Sequence, residues 1–261
     1  MRLKLALAVV LVLALGAGPS SHAQQQVPTG RLLFAQQQVP PARLLLAPST
    51  PLPRDGTYIA NDRVAFAVDH RGDQVRMRFL DNDEVFYLTS EMASLGGRVL
   101  KYDTGATALQ VTGWGALTLY TTQAKGGLPA EYNEDMQNVD PPPIGAKDVK
   151  AFAAQLASDL SANEDFAIGF AADWDNLVHS DELRMLGCDA MRNVAYALKD
   201  LAKAGRRSRI SDRIHIIRII RGAKPGVTMQ KGILAVTIAP QNGPSARPSS
   251  LAIVEALQAA L

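Results

Sequence analysis

Residues 57–122 alternate between apolar and polar side chains, with turn residues at short intervals. The first two runs are residues 64–68 (VAFAV) and 75–79 (VRMRF), separated by the turn sequence HRGD. Successive side chains of a strand point to opposite faces, so this alternation predicts strands with one buried face. Further strands are predicted at 85–89, 98–103, 107–112 and 116–122. We therefore predict an antiparallel β meander whose buried face carries Phe66, Phe79, Phe86 and Tyr120.

The periodicity becomes helical after residue 145. Apolar residues recur every three or four positions over 149–160 and again over 181–204. Ser180 is placed to cap the second helix, and Gly205 is placed to end it. Three strands and a last helix are predicted at 213–221, 227–230, 233–239 and 251–261. The predicted fold class is α+β, with the meander followed by a helix-helix-β-β-β-helix half.

The first 23 residues have the pattern of a cleavable secretory signal. Arg2 and Lys4 precede an apolar run over residues 5–15, and Ser21 and Ala23 provide small side chains at a cleavage site before Gln24. The apolar run has half the roughly 20 residues that a membrane-spanning helix needs. We therefore expect an exported protein, periplasmic or secreted, with no membrane span after the signal is removed.

A 12-residue duplication follows the predicted signal. Residues 24–35 (QQQVPTGRLLFA) and 36–47 (QQQVPPARLLLA) are two copies, and their Gln and Pro content is typical of an extended, disordered tether. The apolar RLLFA and RLLLA units are able to dock on the domain or on a partner. The predicted segments are the signal 1–23, the tether 24–54, a β-rich subdomain 55–125, a linker 126–145 and an α+β subdomain 146–261.

Charge and cysteine content exclude several classes of protein. The chain has 27 basic and 25 acidic residues, and without Arg2 and Lys4 the two counts are equal. Nucleic-acid binding depends on neutralising phosphates, so a neutral chain is not expected to bind it. Cys188 is the only cysteine, so no internal disulfide forms and stability must come from a core. We interpret Cys188 as a small buried apolar residue.

Asp103 lies in the sequence DTGAT, which resembles the active-site turn of retropepsin-like aspartic proteases. In such enzymes two aspartates share a proton and activate a water molecule. The same residues also make a good β-turn, and Lys101 interrupts the apolar approach that a protease strand would have. We interpret Asp103 as part of a hairpin turn, with a hydrolase as the alternative.

A second candidate cluster contains Asp173, Asp175, His179 and Asp181, within the sequence DWDNLVHSDE. Carboxylates and an imidazole at this spacing are able to bind a metal or to carry out acid–base chemistry. No further His/Asp pair at ligand spacing completes a site, so the favoured interpretation is an acidic loop before the 181–204 helix. A basic stripe is interpreted as a solvated face, with an anion site as the alternative. Its residues are Arg206, Arg207, Arg209, Arg213, Arg218, Arg221 and Lys224.

Several strand and turn sequences resemble a known family. These are DRVAFAVDHRGDQVRMRFLDNDEVFYL, GALTLYT, RIIRGAKPGVTMQKGILAVTIAP and RPSS before the last helix. They resemble an uncharacterised family of exported proteobacterial proteins, classed as a domain of unknown function, over most of residues 57–261. The resemblance implies export and a single structural unit, and it implies no catalytic residues.

The sequence favours a binding or envelope-upkeep module over an enzyme. We predict no cofactor and no metal, and we expect the partner to be an envelope component of unknown identity. The alternative is a periplasmic hydrolase that uses Asp103 or the carboxylate and histidine side chains of residues 173–181.

Overall fold

A closed barrel of eight antiparallel strands makes up the first half of the described chain. The computed structural model describes residues 52–135 and 139–261. Each strand pairs with the next along the chain, and β8 pairs back with β1. The strands are β1 Gly56–Ala60, β2 Val64–Arg71, β3 Gln74–Phe79, β4 Val85–Met92, β5 Arg98–Lys101, β6 Thr107–Val111, β7 Leu117–Leu119 and β8 Leu128–Glu134.

Closure of this sheet corrects the prediction of an open meander. Strand β8 lies within residues 126–145, which the sequence patterns assign to a linker. Pro129 interrupts its apolar alternation and most of its side chains are exposed, so the sequence carries little strand signal there. By pairing with both β7 and β1, β8 leaves the sheet without a free edge.

The barrel interior is filled with aromatic and aliphatic side chains. Phe66 is fully buried and stacks on Tyr58, while Phe86 contacts both Phe79 and Tyr102 edge to face. The predicted interior positions Phe66 and Phe86 are thus confirmed, and Phe79 is half-buried against the same cluster. The apolar core supplies the stability that a chain without an internal disulfide requires.

One arginine is buried on the outside of the barrel. Arg76 is 2% exposed, and its guanidinium donates hydrogen bonds to the carboxylates of Asp69 and Asp140. Val139, next to Asp140, packs on Ala67 and Val85 of the outer barrel surface. The segment that leaves the barrel is therefore tied back to it by a paired buried charge.

The second half combines a four-stranded sheet with five helices. The sheet order is β11-β12-β10-β9, with β9, β10 and β12 parallel and β11 antiparallel. The strands are β9 Gly169–Ala172, β10 Ile216–Arg221, β11 Gly226–Gln230 and β12 Ile233–Ile238. The helices are α1 Val149–Glu164, α2 Trp174–His179, α3 Asp181–Leu201, α4 Arg207–Arg213 and α5 Ser250–Ala260.

This half contains three elements that the predicted helix-helix-β-β-β-helix order lacks. They are strand β9, which has four residues, and the short helices α2 and α4. Helix α4 occupies the start of the predicted strand 213–221, so β10 begins at Ile216. The mixed helix and strand content agrees with the α+β class, but this order of elements was wrong because short elements have too few residues to show a period.

Helix α3 is the centre of the second core. It contacts α1, α5, β10 and β12, and its buried side chains pack on Ile217, Ile219 and Val236 of the sheet. Its start is as predicted, because the Ser180 hydroxyl accepts a hydrogen bond from the Leu183 N–H. Within residues 52–135 and 139–261, no helix combines the length and the apolar character that crossing a membrane requires.

Candidate functional site

Two barrel carboxylates bind the first turn of helix α5. Asp103 accepts hydrogen bonds from the Ser249 N–H at 2.8 Å and the Ser249 hydroxyl at 2.6 Å. Glu84 accepts hydrogen bonds from the Ser250 N–H at 2.7 Å and from the Ser250 hydroxyl. The Ser249 hydroxyl also accepts from the Ala252 N–H, so it caps the helix. We call these four residues, Glu84, Asp103, Ser249 and Ser250, the α5 junction.

Glu84 is buried in this junction. Glu84 is 2% exposed, and burial raises the pKa of its carboxyl group to about 7. The hydrogen bonds from Ser250 and the charge of Arg247 lower that pKa, while the nearby Asp103 carboxylate raises it. Desolvation is the largest of these effects, so the folded protein favours the protonated form of Glu84 more than the unfolded chain does.

An arginine cluster surrounds the α5 junction. Arg247 donates hydrogen bonds to Asp189 of α3 at 3.0 Å and to the Val85 carbonyl of the barrel at 3.1 Å. The Asp189 carboxylate also accepts from Arg192 at 2.8 Å. Asn193 donates to the Pro248 carbonyl at 2.9 Å. The segment before α5 is therefore bonded to both the barrel and α3, and the junction is a structural tie between the two cores.

A cleft opens at the carboxyl edge of the second sheet. Its volume is about 290 Å³, and Ala172, Arg221 and Ile238, which end the three parallel strands, all line it. In open α/β sheets this edge is where ligands bind, since the connections that leave the strand ends separate there. The other lining residues are Ala171, Asp173, Asn176, Leu177, Leu183, Arg218, Ile219 and Ile220.

The polar groups of the cleft are two arginines, one carboxylate and one amide. Asp173 accepts hydrogen bonds from the Asn176 N–H at 3.3 Å and from the Asn176 side-chain amide at 2.6 Å. Arg218 and Arg221 are exposed and have neither an ion pair nor a side-chain hydrogen bond within the described residues. The arginines are therefore free to bind an anion, while the rest of the lining is mostly apolar.

The structure places the predicted candidate residues in two separate regions. Asp103 lies in the hairpin between β5 and β6, where both of its carboxylate oxygens bind Ser249. Asp173 lines the cleft and caps α2. Asp175 and His179 are both exposed on α2, and the His179 Nδ1–H donates to the Asp175 carbonyl at 2.7 Å. The hydrolase hypothesis for Asp103 stays a prediction.

Asp173, Asp175 and His179 do not converge on one point. Within residues 52–135 and 139–261, no group of three or more His, Cys, Asp or Glu side chains has a geometry that would hold a metal ion. Cys188 is buried in the second core, and burial raises its pKa to about 11. A thiol in that state is largely protonated near neutral pH, which agrees with its interpretation as a small core residue.

The sequence patterns missed the partners of Asp103. Glu84 ends the turn sequence DNDE, and Arg247, Ser249 and Ser250 belong to the RPSS sequence. A pair of serines before a terminal helix indicates a helix cap. No local pattern shows which carboxylates bind it, because Asp103 is 146 residues from Ser249 and Glu84 is 166 residues from Ser250. The RPSS sequence was the signal that could have indicated this site, because it is one of the segments that resemble the family.

Comparison with known protein families shows which family this chain belongs to. A family model described as a domain of unknown function (DUF4908) matches residues 43–257. The chain belongs to the DUF4908 family. The DUF4908 match encloses the barrel, the α5 junction and the cleft. Comparisons with curated proteins and with solved structures found no match. The predicted signal 1–23 and residues 24–51 of the predicted tether lie outside the described residues.

The raised pKa of Glu84 predicts a pH-dependent stability that Glu84→Gln removes. Below about pH 4.5 the carboxyl group is protonated in both states, and between pH 4.5 and 7 the unfolded chain loses the proton first. The wild-type free energy of unfolding should therefore fall by about 3 kcal/mol relative to that of Glu84→Gln over this interval. Urea unfolding of both proteins from pH 4 to 8 measures this difference.

Glu255→Gln is the matched control for this measurement. Glu255 lies on helix α5 and is exposed, so its variant should follow the wild-type pH dependence. Parallel curves for the wild type and Glu84→Gln would show that Glu84 does not retain its proton in the folded protein.

Proposed function

We propose that this DUF4908 protein is an exported, non-catalytic binding module that holds a small anionic ligand in the cleft. The observation that carries the proposal is the position of Arg218 and Arg221 beside the ends of three parallel strands, with no partner for either side chain among residues 52–135 and 139–261. A cavity with an apolar lining and a few convergent polar groups is the usual form of a small-molecule site.

The chemistry of the cleft selects the class of ligand. A guanidinium group binds carboxylates and phosphates through paired hydrogen bonds, so the two arginines at the cleft favour an anionic ligand. Asp173 adds a hydrogen-bond acceptor, which favours a ligand that also carries a hydroxyl or amino group. The apolar residues Leu177, Ile219 and Ile238 provide room for a short carbon skeleton. A small carboxylic acid or phosphate ester with a polar substituent fits these groups.

Export is the second part of the proposal. The positive, apolar and small-residue pattern of residues 1–23 supports a secretory signal. Export would place the binding module in the periplasm or outside the cell, with residues 24–54 as its tether to an envelope component.

Amino-terminal sequencing of the protein purified from its native host tests export by cleavage. The sequence obtained should begin at Gln24. A sequence that begins at Met1 would contradict export by cleavage.

Ligand binding is tested by the effect of anions on thermal stability. Inorganic phosphate and succinate are the probes, and the variant is the double substitution Arg218→Gln and Arg221→Gln. A ligand that binds only the folded state stabilises it by about 2.7 kcal/mol at 100 times its dissociation constant. We expect at least one probe to raise the melting temperature of the wild-type protein, and we expect the double variant to lose that rise.

Arg63→Gln provides the matched control. Arg63 is an exposed arginine in the hairpin between β1 and β2, so its loss removes one charge outside the cleft. This variant should keep the full response to the anion. An equal loss of response in Arg63→Gln and in the double variant would indicate a general charge effect, and no response of the wild type to either probe would contradict the anion site.

A further inference from the structure

The end of the barrel away from α5 has three large exposed apolar side chains. The hairpins between β4 and β5 and between β6 and β7 lie at this end, where β1 also begins. Met92 is 67% exposed, Leu95 is 88% exposed and Trp114 is 77% exposed. Single exposed apolar residues are common, but three large ones at one end of a barrel make that end a candidate contact surface. We call Met92, Leu95 and Trp114 the apolar tip.

The two hairpins of the apolar tip are packed on each other. A Cβ atom at Gly113 would lie 2.5 Å from the Leu95 carbonyl oxygen, so no larger residue fits there without movement of the backbone. Leu95 itself has a φ of 56°, a left-handed conformation that is uncommon for a residue other than glycine. The backbone therefore holds Leu95 towards solvent beside Trp114 despite the strain and the exposure.

A groove lies next to the apolar tip. Its volume is about 680 Å³, and it is lined by Tyr58, Val111, Leu117 and Ala130 of the barrel and by Leu52. Leu52 also packs against the barrel core, and it is the first residue that the structure describes. The described chain therefore begins at this groove, and the groove also includes Gly115 and Ala116, next to Trp114.

We propose that the apolar part of the second copy of the duplication, residues 44–47 (LLLA), docks in this groove and covers the apolar tip. Leu45 is seven residues before Leu52, and seven extended residues span about 23 Å, which is enough to cross the end of a small barrel. Leu44, Leu45 and Leu46 would place apolar side chains against the groove and the apolar tip.

One further observation favours the second copy over the first. The DUF4908 match begins at Arg43, so residues 44–47 belong to the family domain and the first unit, 31–35, does not. This surface is separate from the cleft, and the proposal is independent of ligand binding there.

The fluorescence of Trp114 in the chain 24–261 tests the docking. The chain has two tryptophans, so Trp174→Phe leaves Trp114 as the only one. Leu44→Ser, Leu45→Ser and Leu46→Ser together should release the segment and raise the acrylamide quenching constant of Trp114. A rise of roughly twofold or more is expected, because a segment that is docked more than about half of the time shields the ring for that fraction.

The first copy of the duplication is the matched control. Leu32→Ser, Leu33→Ser and Phe34→Ser together change the equivalent positions of residues 31–35 and should leave the quenching constant unchanged. An equal rise for both sets, or no rise for either, would overturn the proposal. Quenching that depends on protein concentration would instead indicate a second copy of the chain on the tip, and quenching that changes only with added phosphatidylcholine vesicles would indicate a lipid surface. Both results would overturn it.

Discussion

The two halves of this protein depend on the hydrogen bonds that barrel carboxylates accept from the start of helix α5. The first four backbone N–H groups of a helix have no acceptor within the helix, and negative charge is favoured at that end. Asp103 and Glu84 meet that need through Ser249 and Ser250, and Leu251 then packs against the barrel core. Each half thereby completes the other: the barrel caps the helix, and the helix covers one end of the barrel.

The burial of Glu84 has an energetic cost that the surroundings only partly offset. Hydrogen bonds and the guanidinium of Arg247 favour the carboxylate, but loss of water favours the neutral acid. The balance explains why the buried group has a pKa of about 7 although it accepts two hydrogen bonds. Packed elements connect the α5 junction to the cleft. Helix α5 contacts α3, and α3 contacts β10 and β12, whose ends line the cleft.

The sequence predicted the elements that repeat over many residues and missed those that depend on distant partners. The barrel strands β2 to β6 and helix α3 have clear periods, and Ser180 identifies the start of α3. Strand β8 lacks a period because Pro129 and exposed residues interrupt it, and barrel closure depends on its pairing with β1 across 70 or more residues. Periodicity gives no information on such pairings.

The candidate sites show the same limit. Asp103 stood out by its local DTGA sequence, yet its contacts are with Ser249, which no spacing rule connects to it. Arg218 and Arg221 were recognised as a basic stripe with an anion site as one interpretation, but their place beside Ile238 depends on the parallel pairing of β10 and β12. Topology, rather than composition, brings these groups together.

The central question is whether the barrel and the helical half unfold as one unit. Thermal unfolding of Trp174→Phe in the chain 24–261 can be followed by near-ultraviolet circular dichroism, where five of the six tyrosines report on the barrel, and at 222 nm, where the helices dominate. Because the α5 junction couples the two cores, we expect coincident transitions and equal calorimetric and van't Hoff enthalpies. Two separate transitions, one for each signal, would show that the junction does not couple the two halves.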